Sequence, residues 1–383
     1  MPIRLADRVT ALEQSDIRRF SILCNEVGGV NLGQGICDQP APAALKDAVI
    51  AAVREDHAIY THLRGIPELR NAIAKKLRRF NKIEADPERQ ITVTIGSAGA
   101  FATTCLALLN PGDEIISFSP YYSYHTNMVR ILGNPIRFVD MVPPDWHFSM
   151  QQLRESINER TRFILLNTPS NPCGKIFTRD ELNAIADLCR QHNLIAVTDE
   201  IYEYITFDHP HVSMAALPDM ADRTITMSGA SKTYAVTGHR VGYAAGPEEV
   251  IAKMAVLHDL LYICAPNPLQ RGVVAAMKLP DAYYTDMCDE YRVKRDMLAD
   301  ALTKKGFRPF VPQGAYYMLT EFDADRYRDD VDAAESILRD VGVACIPGSA
   351  FYVDPADGKN QLRFCFAKQI PDLEDACRRL AKL

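Results

Sequence analysis

The sequence predicts an α/β protein: a mostly parallel central sheet flanked by helices, with a smaller α+β domain built from the two chain ends. Three observations predict it. Apolar runs of strand length, such as Phe163-Ile164-Leu165-Leu166 and Ile195-Ala196-Val197, alternate with helical stretches of ten or more residues. Such alternation calls for right-handed crossovers and therefore parallel strands. After Leu279-Pro280 the pattern changes to a long charged helix followed by short, separated strands. The boundaries are expected at 1–40 for an N-terminal segment that packs on the smaller domain, 41–279 for the large domain and 280–383 for the small one.

Taken in order, Ile91–Ile95 reads as a strand. Gly96-Ser97-Ala98-Gly99 turns it into an apolar helix through Leu109, stopped by Asn110-Pro111-Gly112. Glu114–Phe118 is the next strand, and Ser119-Pro120-Tyr121-Tyr122 opens a helix to about Leu132. Arg162–Asn167 is a buried strand. The helix after it carries a capping box, Thr178 with Glu181 three residues on. Leu194–Asp199, Arg223–Ser228 and Val241–Ala245 are further strands, and Asp281–Lys305 is a long helix. Short strands are expected around Tyr316-Tyr317-Met318 and Leu362-Arg363-Phe364-Cys365. In open parallel sheets, ligands bind beyond the carboxyl ends of the strands.

Composition narrows the function. The chain has 383 residues, 47% hydrophobic and 24% charged, enough to bury a core without a metal or disulfide staple. A formal net charge of -6 offers no footprint for nucleic acid. No apolar run approaches the roughly 18 residues of a membrane span. The start, Met1-Pro2-Ile3-Arg4, lacks the apolar core of a signal peptide, so a cytoplasmic location is expected. None of the ten cysteines forms a C-x-x-C pair, which predicts reduced, mostly buried thiols and no zinc or redox pair. His209-Pro210-His211 reads as a solvated turn rather than a metal site. No metal is called for.

The chemistry concentrates in a few segments. Ser228-Gly229-Ala230-Ser231-Lys232 ends a strand in small residues, and Arg240 follows eight residues after the lysine. Small residues let a bulky ligand approach the backbone. A lysine amine forms a Schiff base when its surroundings lower its pKa, and an arginine fork holds phosphate. Asp199 ends a strand, where it can pair with a protonated ring nitrogen or simply cap a helix. Tyr202 lies three residues on. Asn171, between Pro169 and Pro172, sits in a rigid turn and can donate to a phenolate. The helix start at Gly96–Gly99 presents free N–H groups to an anion. Tyr121-Tyr122 offers an aromatic for stacking or for plain core packing.

In this chain order the segments resemble the class I/II aminotransferases, enzymes of fold type I that use pyridoxal 5'-phosphate (PLP). The resemblance runs from about Asn31 to Lys368. Its specific parts are S-x-x-S-K followed by G-x-R-x-G, at Ser228–Lys232 and Gly238–Gly242, and N-P-x-G at Asn171–Gly174. It implies a Schiff-base lysine at Lys232, a pyridinium partner at Asp199, and ring-hydroxyl donors at Tyr202 and Asn171. It implies stacking by Tyr122 and a phosphate cup of Ser97, Ala98 and Arg240, with Ser231 or Ser228. It further implies Arg363 as the clamp on the substrate carboxylate and Gly35 in a loop over the substrate. Tyr60, ahead of Gly65-Ile66-Pro67, corresponds to a tyrosine that reaches the partner subunit's phosphate, which implies a homodimer with shared sites.

Three departures stand out. Tyr122 replaces the Trp or Phe of many relatives, and Cys264-Ala265-Pro266 lacks a small hydroxyl residue common there. At Ala98 only the backbone N–H can serve. The implied reaction moves an amino group from an L-amino acid to a 2-oxo acid by ping-pong steps. A PLP lyase acting by β-elimination, a cyclase and a decarboxylase share these motifs. A non-catalytic PLP-binding regulator is disfavoured, because about 30 residues ahead of the core are too few for a basic DNA-binding module. A nicotinamide dehydrogenase is disfavoured by the lack of a placed G-x-G-x-x-G. No motif assigns a second arginine to a dicarboxylate side chain; Arg64 is expected to be a solvated charge at a helix start.

Overall fold

The computed structural model describes residues 3–10 and 15–383, so Met1, Pro2 and residues 11–14 of the N-terminal segment lie outside the description. Its strands, in chain order, are β1 (Val30–Asn31), β2 (Ile91–Ile95), β3 (Glu114–Ser119), β4 (Ile136–Val142), β5 (His147–Phe148), β6 (Thr161–Asn167) and β7 (Ile195–Asp199). There follow β8 (Thr224–Gly229), β9 (Val241–Ala245), β10 (Arg308–Pro309), β11 (Tyr317–Glu321), β12 (Val343–Ala344), β13 (Ile346–Pro347) and β14 (Gln361–Cys365).

The large sheet has the order β2-β9-β8-β7-β6-β3-β4-β5. Its centre, β8-β7-β6-β3-β4, is parallel, and β9 runs antiparallel to both β8 and β2. Alternate residues of the central strands feed two apolar clusters. Phe163, Leu165, Val197 and Ile225 enter one, and Ile164, Leu166 and Ala196 enter the other. A strand buried on both faces must be apolar throughout, which is why these runs do not alternate with polar residues.

The strand direction gathers the site segments on one edge. Gly96 follows β2, Tyr122 follows β3, Asn171 follows β6, Asp199 ends β7 and Lys232 follows β8. Because β9 is reversed, the residue before it, Arg240, returns to that same edge. The helix expected from Ser119 begins only at Ser123; Tyr122 is extended at φ -90° and ψ 116°. β4 and β5 carry no strong sequence signal and were not expected. Thr178 and Glu181 form the capping box that the sequence predicts.

The second sheet is antiparallel, in the order β10-β11-β14-β13. The N-terminal segment packs beside it: β1 pairs in parallel with β12 as a separate two-stranded sheet, and the Cys365 amide of β14 donates to the Leu32 carbonyl at 2.6 Å. Lys368 and Asp38 close the same junction at 2.9 Å. The Leu32–Gly35 loop is thereby carried across to Lys232. Among the described residues, no helix is long and apolar enough to cross a membrane. All ten cysteines are free, most of them buried.

Candidate active site

Lys232 lies in a four-residue helical turn immediately after β8. Its Nζ donates to the Gly35 carbonyl at 3.1 Å, with the rings of Tyr316 and Tyr202 at 5.6 and 5.8 Å. Among the described residues, no carboxylate pairs with it. Burial lowers its pKa, although Cys37, Cys365 and Asp199 pull the other way. A lowered pKa yields more of the neutral, nucleophilic amine.

Asp199 is 4% exposed. One carboxylate oxygen accepts the Ile201 amide at 3.2 Å, and the other meets His125 Nε2 at 2.9 Å. A turn rather than a helix follows it, so it caps no helix. His125 was missed by sequence reasoning. Its signal was present, because it lies three residues after Tyr122 on one helical turn. Tyr122 packs edge-on against the His125 ring at 5.3 Å and stacks on Tyr124 at 5.2 Å.

Arg363, on β14, is 1% exposed. Nη1 donates to Asn171 Oδ1 at 2.8 Å and Nη2 to the Gly33 carbonyl at 2.7 Å. The guanidinium lies between the Tyr317 and Phe351 rings, at 4.3 and 4.7 Å, and its buried Nε has no partner. With Asn171 Oδ1 so engaged, the amide nitrogen of Asn171 has no partner among the described residues. The Tyr202 hydroxyl lies 3.1 Å from that of Tyr317. Burial raises the Tyr202 and Tyr122 phenols and pushes Tyr317 up to about 12, so all three stay protonated donors at neutral pH. A Cβ on Gly35 would come within 1.7 Å of the Tyr317 hydroxyl, so only glycine admits this approach.

Ser97 and Ala98 occupy the first turn of the Gly96–Leu108 helix, where backbone N–H groups lack helical acceptors. The Arg240 guanidinium lies against Gly96; a Cβ there would meet Nη2 at 2.6 Å. Arg240 adopts φ 55°, fixed by its carbonyl accepting the Gly96 amide at 3.0 Å. Ser231 is buried in the Lys232 turn. Ser228 is directed elsewhere: its hydroxyl donates to Glu203 Oε1 at 2.6 Å and so is committed to a different cluster.

Two other expectations change. His211 is not in a solvated turn, because its ring is buried with Nε2 2.8 Å from Glu200. Arg64 is not a free charge either; it donates to the Glu88 and Arg89 carbonyls at 2.9 and 2.8 Å. Tyr60 is 75% exposed.

A lysine amine, a buried carboxylate with its histidine and an anion-ready helix start thus share one edge of the large sheet, and the buried Arg363 guanidinium reaches them from the second sheet through Asn171. Fold and site define an α/β enzyme of the aspartate-aminotransferase architecture. The model of the family "Aminotransferase class I and II" matches residues 27–380, and the chain belongs to that family. A probable N-succinyldiaminopimelate aminotransferase of Mycobacterium tuberculosis is 35% identical, over 95% of this chain and 94% of the relative. The solved structure of the N-succinyldiaminopimelate aminotransferase from that organism has a TM-score of 0.94 at 33% identity, covering 99% and 100% of the two chains. An Escherichia coli protein with a methionine aminotransferase function superposes with a TM-score of 0.95 at 30% identity, over the full length of both chains. The protein is therefore an aminotransferase, transferring an amino group from an amino acid to a 2-oxo acid.

Proposed function

We propose that the chain performs this transfer with PLP held at Lys232, as a homodimer whose active sites are shared. The observation that carries the reading is the half-buried Lys232 amine, which among the described residues meets a carbonyl and two rings and no carboxylate. An amine of lowered pKa without a carboxylate partner suits an aldehyde. The rest of the donor set fits the same compound. The Ser97 and Ala98 amides, Ser231 and Arg240 suit a phosphate, and Tyr122 a flat ring. Asp199 suits a protonated ring nitrogen, and Tyr202 with the free amide of Asn171 suits a phenolate oxygen. Bound there, PLP supplies an electron sink for the charge left when Cα loses its proton.

The chain's own residues do the remainder. Arg363 fixes the substrate carboxylate through the edges of its guanidinium that Asn171 and Gly33 leave free. That orients Cα towards Lys232, which removes its proton as general base and returns it as general acid. Asp199 would hold its negative charge against the ring nitrogen, and His125 fixes the carboxylate's orientation. Tyr317 covers Arg363 and, with Gly35, narrows the entrance and keeps water from the reacting carbon. A matching 2-oxo acid then reverses the steps, giving ping-pong kinetics.

The dimer is supported by an exposed apolar patch. Ile59 and Tyr60 are 71% and 75% exposed, and the Thr61 amide donates to Cys264 Sγ, beside exposed Leu260 and Tyr262. Patches of this kind mark contacts between chains. We take residues 41–279 as the cofactor-bearing body, with 1–40 and 280–383 as the smaller one, and a cytoplasmic setting suited to free thiols. Borohydride reduction of the purified protein should bleach a visible band and leave a pyridoxyl group on the Lys232 peptide. Label on a different lysine refutes the assignment.

A further inference from the structure

Behind the turn that carries Asp199 and Tyr202 lies a second set of charges. Asp199 and Tyr202 face the site; Glu200 and Glu203, interleaved with them, point into a buried cluster. Glu203 Oε1 lies 2.5 Å from Lys76 Nζ and accepts the Ser228 hydroxyl at 2.6 Å. Its Oε2 accepts Asn81 Nδ2 at 2.7 Å. Glu200 Oε2 accepts the Ser213 hydroxyl at 2.6 Å and meets His211 Nε2 at 2.8 Å; Oε1 accepts the Thr198 hydroxyl at 2.9 Å. Lys76 completes its shell with Asn81 Oδ1 at 2.8 Å and the Tyr243 hydroxyl at 3.0 Å. Lys76, Glu200 and Glu203 are all buried.

Buried ion clusters are weak contributors to stability, because desolvation offsets the attraction. This one ties together three segments: the Pro67–Lys76 helix, the turn after β7, and β8 just before Lys232. Glu200, Glu203 and His211 place their ligand atoms within 4.8 Å of one another, a spacing that would suit a metal ion. The Lys76 ammonium already supplies the positive charge there. Burial opposes the charge on Glu203, yet Lys76 and its hydrogen bonds prevail and hold its carboxyl below the usual range. Burial pulls Lys76 downward as well, against the attraction of Glu203. Three donors converge on the Glu203 carboxylate and three acceptors on the Lys76 ammonium, so hydrogen bonds hold the pair from both sides.

We propose that Lys76, Glu200 and Glu203 are positioning residues, which hold the Asp199–Tyr202 turn and, through Ser228, the Lys232 segment, and whose charges set the acidity of the Lys232 centre. The proposal rests on the reading that Lys232 carries PLP. The groups facing Lys232 are Cys37, Cys365, Arg240 and Asp199, with the rings of Tyr202 and Tyr316. Asp199 is the carboxylate among them, and Glu200 and Glu203 stand behind it on the same turn, Glu203 being joined to β8 through Ser228. The groups facing the cluster are His211, Tyr204 and Tyr243. Each carboxylate favours a protonated Lys232 centre and the Lys76 ammonium opposes it, with His211 paired to Glu200 at 2.8 Å. Each unit charge removed from the cluster shifts that titration in the direction set by its sign.

The test titrates the visible absorption of the holoenzyme with pH in wild type, Glu203→Gln, Glu200→Gln and Lys76→Met. Removing a negative charge disfavours the protonated form, so both carboxamide variants should lower the midpoint. Removing the ammonium should raise it. The double variant Lys76→Met with Glu203→Gln should lie between its two parents. A role in packing alone would not produce shifts of opposite sign. Glu200→Gln guards against loss of fold in Glu203→Gln, because the hydroxyls of Thr198 and Ser213 can rotate to accept from an amide. Shifts of one common sign, or all below about 0.2 pH unit, overturn the proposal. A wild type with no visible band at all would instead refute the cofactor reading on which it rests.

Discussion

Replacing Arg363 by lysine keeps one positive charge and removes the planar fork. In the native site the guanidinium donates to Asn171 Oδ1 at 2.8 Å and to the Gly33 carbonyl at 2.7 Å, and it lies between Tyr317 and Phe351. A lysine ammonium cannot span both acceptors and still offer two parallel N–H bonds to a carboxylate. Losing one charge-assisted hydrogen bond to the substrate costs about 1.5–3 kcal/mol, and the misplaced Asn171 adds on the order of 1 kcal/mol. The sum, about 3 kcal/mol, corresponds to roughly a hundredfold loss in kcat/KM. The assay is kcat/KM over a panel of amino donors with neutral, aromatic and acidic side chains, backed by single-turnover rates of the first half-reaction. The loss should be uniform, since every donor presents the same carboxylate. A loss below about tenfold, or one confined to acidic donors, refutes the reasoning and moves Arg363 to the side-chain pocket.

Three further outcomes follow from the same geometry. Asp199→Ala should retain the circular dichroism spectrum of the native fold yet lose more than about tenfold in transamination, as the carboxylate proposed to pair with the ring nitrogen and its His125 contact both go. Because burial lowers the Lys232 pKa, uptake of PLP by the apoenzyme should rise with pH and level off below the ordinary lysine range, near 10.4; a stopped-flow midpoint at or above that value would contradict a depressed amine. Tyr60→Phe subunits mixed with Lys232→Ala subunits should recover activity towards half of wild type, because a mixed dimer collects both defects in one site and leaves the other intact. No recovery on mixing, or an active monomer in sedimentation at assay concentration, rules out the shared site.

Much of this architecture was legible because local chemistry dictated it. Phe163–Leu166 and Ile195–Val197 had to be buried on both faces, so their apolar continuity already pointed to central parallel strands. Thr178 and Glu181 marked a helix start by themselves, since a capping box is closed within four residues. Lys232 and Arg240 were visible for a similar reason: their spacing from strand ends fixes which edge of the sheet they reach.

Tertiary structure decided what depends on partners far apart in the chain. Ser228 and Ser231 flank the same short turn, yet a buried carboxylate 25 residues earlier draws the Ser228 hydroxyl away. His211 looked solvated beside a proline until Glu200 was seen to bury it. Arg64 found backbone carbonyls at 88 and 89, and Tyr317 reached Gly35 across the junction of the two chain ends. The sequence by itself determined the strands β2, β3 and β6–β9 and which side chains follow them at the carboxyl edge, because apolar runs and the turns that end them are local properties, whereas β4 and β5 left no such mark. Whether a polar side chain there faces the cleft or is taken by a buried partner was decided only by packing. Desolvation makes an unpaired polar group costly enough that contacts outside the local segment override the local pattern.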